Sequence, residues 1–171
     1  IKNHPSVSLV FQPGSFQVKT DIEKFKDVYS NAKVFICNLD EAQRILKTKE
    51  KDITKLVIKM HEFGPKIVVI TDDVNGAYSF DGADILFMKA FPHGDFVEST
   101  GAGDAFSSAF VVALALGKNI SDALMWGATN AVSVISYAGP HKGLLTIAQI
   151  EEYIKNSPAD YKPIKIKSSF L

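Results

Sequence analysis

The sequence predicts an α/β fold, a doubly wound and mostly parallel sheet flanked by helices. Three observations predict it. Short β-branched runs alternate with longer amphipathic segments through the first half, the order that strand–helix–strand units with right-handed crossovers require. The run KIVVIT (Lys66–Thr71) reads as a buried strand. In the second half a glycine-rich turn opens three helical segments in succession, and nothing in the chain repeats.

Taken in order, VSLVF (Val7–Phe11) is strand-like and ends in the turn-forming Pro13-Gly14-Ser15. Asp21 is placed to N-cap a helix running through Tyr29, with Ile22, Phe25 and Val28 on one face. KVFIC (Lys33–Cys37) is the next strand, and a helix follows from about Asp40. A further helix spans Asp52 to Glu62 with Ile53, Leu56, Val57 and Met60 as its inward stripe, and Gly64-Pro65 stops it before KIVVIT. Ala77–Phe80 and Ile85–Lys89 form two short strands joined by an Asp-Gly turn. The helices of the second half are predicted at about Ala102–Leu116, Ile120–Tyr137 and Thr146–Lys155, with Ser121 and Thr146 as N-caps; Thr146 opens the capping-box pattern TIAQ. The lysine-containing tail YKPIKIKSSF ends the chain as a terminal strand or a frayed end.

Composition narrows the function classes. The 171 residues suffice for one domain with a sizeable core, and no linker divides them, so residues 1–171 read as a single unit. Nineteen basic residues balance nineteen acidic ones, so no global field draws the chain to nucleic acid or to an anionic membrane. The longest apolar run, Ala109–Leu116, is far short of the roughly 20 residues of a membrane span. Cys37 is the lone cysteine, which excludes an internal disulfide and fits a buried strand residue in a reducing compartment. A cytoplasmic location is the expectation. The four histidines, His4, His61, His93 and His141, lack metal-ligand spacing.

Chemistry concentrates in ESTGAGDAF (Glu98–Phe106). A helix N-terminus presents unpaired N–H groups and the positive end of the helix dipole, and glycines ahead of it let an anion approach the backbone. Asp104 stands in the first helical turn, placed to take a proton from a hydroxyl that attacks a bound phosphoryl group. Taken alone, so short a pattern also fits a packing turn with an aspartate as dipole partner. Two other phosphate-binding patterns fail. A dinucleotide fingerprint needs glycine where Phe106 stands, and a Walker-type loop needs glycine at Val112 and a hydroxyl at Asn119.

With these residues together, the sequence resembles the ribokinase-like (PfkB) carbohydrate and nucleoside kinases. TGAGDAF followed by an apolar helix is similar to that family's motif. NLDE (Asn38–Glu41) resembles its Asn-x-x-Glu, VVITDDVNGAYSF (Val68–Phe80) its strand and Thr-x-Gly-x-x-Gly segment, and AGPHKGLLT (Ala138–Thr146) the segment after the second helix. FQPGS (Phe11–Ser15) resembles the start of the family's C-terminal half. The resemblance implies ATP-dependent phosphorylation of a sugar or nucleoside hydroxyl. Asp104 would be the general base, and Gly101, Ala102 and Gly103 the anion hole. Thr71, Gly76, Asn38, Asn130 and Gly139 would lie at the nucleotide, with Glu41 organising Mg²⁺ through water. His141 and Lys142 fall in the loop that should border the nucleotide.

Departures are also visible. Asp73 takes the place of the segment's first glycine and brings negative charge, so either the loop turns it outward or nucleotide binding differs. Glu98-Ser99 and Pro140 depart from the monovalent-cation loop of some members, so a potassium site is not expected. Trp126 reads as helix packing. The chain starts at Ile1 and matches the nucleotide-side half of the family pattern, so the sequence is read as the C-terminal portion of a longer kinase. That portion would be poorly active alone, without the substrate half and its lid. A nucleoside kinase of the same family is one alternative. Another is a non-catalytic nucleotide-binding or interaction module, whose exposed sheet edge would favour a homodimer.

Overall fold

The computed structural model describes residue 4 and residues 6–91 and 95–167. The expected Pro92–Glu98 loop is therefore described from Asp95 onward, and His93 and Ser168–Phe170 of the tail lie outside the described residues. Among the described residues the chain divides into two compact units. One takes in the residues up to Asp72, Tyr78–Leu86 and those from Lys165 onward; the other takes Asp73–Ala77 and Phe87–Ile164.

The strands are β1 (Leu9–Phe11), β2 (Ala32–Asn38), β3 (Ile67–Thr71), β4 (Ala77–Phe80), β5 (Ile85–Met88) and β6 (Ile164–Ile166), in one six-stranded sheet ordered β1-β2-β3-β4-β5-β6. β1, β2 and β3 are parallel, with Phe11 beside Phe35 and Asn38 beside Thr71. Val34–Cys37 and Val68–Ile70 are buried without alternation, as strands covered on both faces must be. The mostly parallel, helix-flanked sheet is thus present.

The helices of this first unit are α1 (Ser15–Lys19), α2 (Lys26–Asn31), α3 (Leu39–Ile45) and α4 (Ile53–His61). α4 forms as predicted: Asp52 caps it by accepting from the Thr54 N–H at 3.0 Å, and Ile53, Leu56, Val57 and Met60 are its buried stripe. Asp21 is a cap too, but of a 3₁₀ turn over Ile22–Phe25 that precedes α2, so the expected single helix is two pieces. Tyr29 is the side chain that this segment buries. Its ring is 1% exposed, set edge-on to Phe11 at 5.4 Å and tilted on Phe35 at 5.3 Å, while Ile22, Phe25 and Val28 are half-buried. Burial pushes the Tyr29 hydroxyl up to about 12. α1 forms where a plain turn is expected, its start held by the Gly14 N–H donating to Gln17 Oε1 at 3.2 Å. The Asp-Gly turn between β4 and β5 is closed by Asp81 Oδ1, which accepts from the Ala83 and Asp84 N–H groups at 3.0 and 2.9 Å.

The second unit is built on α5 (Ala102–Ala115), α6 (Ile120–Ile135) and α7 (Ile147–Lys155). α5 and α6 pack together, and Gly127 gives the Phe106 ring its room: a Cβ there would lie 2.9 Å from it. Thr146 caps α7 with the predicted Gln149 box. The N-cap of α6 is Asn119, not Ser121; Asn119 Oδ1 accepts from the Asp122 N–H at 2.8 Å, which puts Ser121 inside the first turn. Among the described residues no helix is long and apolar enough to cross a membrane.

Candidate active site

The candidate site residues fall into two groups, one in each unit. In the second unit the glycine turn opens α5. Gly101 is its N-cap in the left-handed conformation, φ +85°, and a Cβ there would sit 2.8 Å from Pro140 Cα. Only glycine satisfies both conditions. Its carbonyl accepts the first helical bond, from the Ala105 N–H at 2.8 Å, while the Ala102 N–H turns back onto Ser99 O at 3.2 Å. At Gly103 a Cβ would meet nothing within 4 Å, so the approach to the helix start is open. Gly103 and Asp104 are both exposed. From Ala105 on, the helix turns greasy and anchors this start: Ala105, Phe106, Ala109, Phe110 and Ala113 are buried.

The loop after α6 lies against that turn. Val97 and Glu98 donate their N–H groups to Ile135 O at 2.8 and 3.2 Å, and the Gly139 N–H donates to Glu98 Oε2 at 3.1 Å. The Thr100 hydroxyl bonds the same carboxylate, and these two hydrogen bonds hold Glu98 below the usual carboxylate range. Gly139 is left-handed at φ +91° and has open space around it. Asn130 is 4% exposed and engaged at both ends of its amide: Nδ2 donates to Ala105 O, and Oδ1 accepts from the Leu145 N–H, each at 2.9 Å. It ties α5 to the return of the loop. Lys142 lines an open cleft of about 460 Å³ with Ser133, Tyr137, Gln149 and Tyr153. Gly76, φ +116°, is packed so tightly that a Cβ would run into the Met88 carbonyl.

Asp73 is exposed and left-handed at φ +44°, so it keeps a backbone conformation suited to the glycine whose place it takes.

In the first unit, Asn38, Glu41 and Thr71 meet at the C-terminal ends of β2 and β3, where open parallel sheets place their ligands. Asn38 Oδ1 accepts from the Glu41 N–H at 2.8 Å, and Glu41 Oε2 accepts from the Asn38 N–H at 2.9 Å. This reciprocal box fixes the Glu41 carboxylate at the head of α3. Among the described residues no three metal-ligating side chains cluster. Cys37 sits beneath this edge, 2% exposed, and burial pushes its thiol well up.

Glu98 is the participant that sequence reasoning passes over, since it reads there only as a departure. Its partner Gly139 is forty-one residues away, and no local pattern announces that contact.

Comparisons with known proteins bear on both groups. The pfkB family carbohydrate kinase pattern matches residues 8–147. A 5-dehydro-2-deoxygluconokinase from Bacillus licheniformis is 36% identical over 89 residues, 52% of this chain and 27% of that protein. The structure of Arabidopsis thaliana ribokinase complexed with ribose and ATP superposes with a TM-score of 0.79 at 24% identity, covering 89% of this chain and 50% of that one. A nucleoside kinase from Methanocaldococcus jannaschii gives 0.74 at 18% identity, over 86% and 48%. The chain thus spans about half the length of the solved structures it resembles.

Proposed function

The chain belongs to the pfkB family of carbohydrate kinases, and from that premise we propose that it carries the phosphoryl-transfer machinery of an ATP-dependent kinase. The acceptor is a hydroxyl of a sugar or related small alcohol. The observation that supports this most is the start of α5, where a left-handed glycine, an uncrowded Gly103 and an exposed Asp104 carboxylate fall within one turn.

In this reading Asp104 is the general base. Its carboxylate takes the proton as the substrate oxygen bonds to the γ-phosphorus, while the bond from that phosphorus to the leaving oxygen breaks. Gly101, Ala102 and Gly103 form the anion hole. Of these three N–H groups the Ala102 donor is turned onto Ser99 O, which leaves the donors of the two glycines, aided by the helix dipole, for the anion. Preorganised N–H donors of this kind contribute about 10²–10³ in rate. Thr71, Gly76 and Gly139 border the nucleotide. Asn130 serves it through the loop it holds, since its own amide is engaged at both ends. Glu41, steadied by Asn38, would hold Mg²⁺ through water, and the metal would supply charge neutralisation at the phosphates.

The curated relatives make 5-dehydro-2-deoxygluconate the first acceptor to assay. The deciding variant is Asp104→Asn in the full-length protein. Turnover is expected to fall about 10²–10⁴-fold, with nucleotide binding by calorimetry retained. Unchanged turnover would remove Asp104 from the base role.

A further inference from the structure

The glycine turn and the 138–143 loop come from segments some forty residues apart, yet they are held face to face by contacts that converge on one side chain. Glu98 sends its backbone N–H into Ile135 O at the end of α6 and receives the Gly139 N–H on Oε2 at 3.1 Å. The Thr100 hydroxyl donates to the same carboxylate, one residue ahead of the turn. On the opposite side, Gly101 and Pro140 are so close that a Cβ at 101 would come within 2.8 Å of the proline. The turn is thus clasped at two points, and only the Glu98 point depends on charge. A carboxylate suits it because bonds to an ionised acceptor are about twice as strong as neutral ones.

We propose that Glu98 is a positioning residue for phosphoryl transfer: its carboxylate, bridging the Thr100 hydroxyl and the Gly139 N–H, holds the anion-hole turn in register with the 138–143 loop. The proposal rests on the reading that the turn stabilises transferring phosphate. Glu98 touches no reacting atom in this scheme. It fixes the distance between two backbone surfaces, and misplacing a positioned group by about 1 Å can cost on the order of 10²-fold in rate. Gln offers one acceptor oxygen in place of two. Asp is one methylene short of spanning both donors. Ala removes the bridge.

The test uses Glu98→Gln, Glu98→Asp and Glu98→Ala in the full-length protein, with Asp104→Asn alongside. Two readouts are taken: kinetics with ATP and then the sugar as the varied substrate, and hydrogen exchange of the Gly139 amide without any ligand. The expected result is kcat lowered by about tenfold or more in Glu98→Ala, an intermediate loss in Glu98→Gln, and an unchanged KM for the sugar. Gly139 exchange should accelerate in the same order, with Asp104→Asn exchanging like the parent protein. If Glu98→Ala fails to fold, the milder Gln variant carries the comparison. Turnover within twofold of the parent in the Gln and Ala variants overturns the proposal; so does lost turnover with Gly139 exchange unchanged. Failure of the base reading would show separately, as an active Asp104→Asn.

Discussion

Gly76 separates two costs that a substitution at glycine can carry. Its φ of +116° disfavours any L-residue, and the space a Cβ would take is already filled by the Met88 carbonyl. Gly117 has a similar positive φ, +82°, but nothing within 4 Å. Gly117→Ala is therefore expected to cost about 1 kcal/mol, the price of the backbone conformation alone. Gly76→Ala should cost clearly more, because β-strand backbone must shift as well; urea midpoints of the two variants check the difference. The glycine itself is legible in the sequence, through the Thr-x-Gly-x-x-Gly resemblance. The reason for it is not, because Met88 lies in a later strand. Asn130 shows the same limit. Its letter marks a candidate nucleotide contact, whereas its partners Ala105 and Leu145 are twenty-five and fifteen residues distant. Ala105 O keeps the Ser108 hydroxyl as a donor, so removing the Asn130 side chain leaves the part-buried Leu145 N–H without its acceptor, at a cost of about 1–3 kcal/mol. Asn130→Ala should show that loss in the same titrations.

Helix starts were the best-encoded elements, because capping is a local code of three or four residues. Thr146 with Gln149, and Asp52 ahead of Thr54, are legible from their letters; Asn119 and Ser121 both cap well, and spacing alone does not choose between them. Strand β6 shows where local reading ends. Its neighbour in the sheet is β5, far back in sequence, so the tail could be read equally as frayed. Asp52 also gives the cap a pH dependence. Its carboxyl is held below the usual value by hydrogen bonds from Thr54 foremost, and by nearby Lys55. A group depressed on folding contributes stability that is present above its unfolded pKa and lost as pH falls through the folded one. Asp52→Asn keeps a competent cap without the titration. The variant should be less stable than the parent near about pH 7 and lose less stability on going to about pH 3, read by urea unfolding at both values.

On the scale of the chain, the family pattern covers residues 8–147, yet the aligned part is 50% of the ribokinase structure and 27% of the gluconokinase relative. The anion-hole turn, the Asn38–Glu41 box and the strand ends around Thr71 all fall inside the matched span. None of the residues assigned above grips a sugar ring. Binding of nucleotide and turnover of sugar should therefore separate in the 171-residue polypeptide. MgATP is expected to raise its melting temperature, since a ligand at about 100 times its Kd adds about 2.7 kcal/mol to the state that binds it. Phosphorylation of a sugar should run about 10²-fold or more below that of the longer curated relatives, because orienting the acceptor and excluding water contribute at least that much. A thermal-shift series and a coupled ADP-release assay on the same preparation give both numbers. Full turnover from the polypeptide alone would mean that the acceptor site lies within these 171 residues. No thermal shift with MgATP would remove the nucleotide role proposed for the α5 turn and the β2–β3 edge.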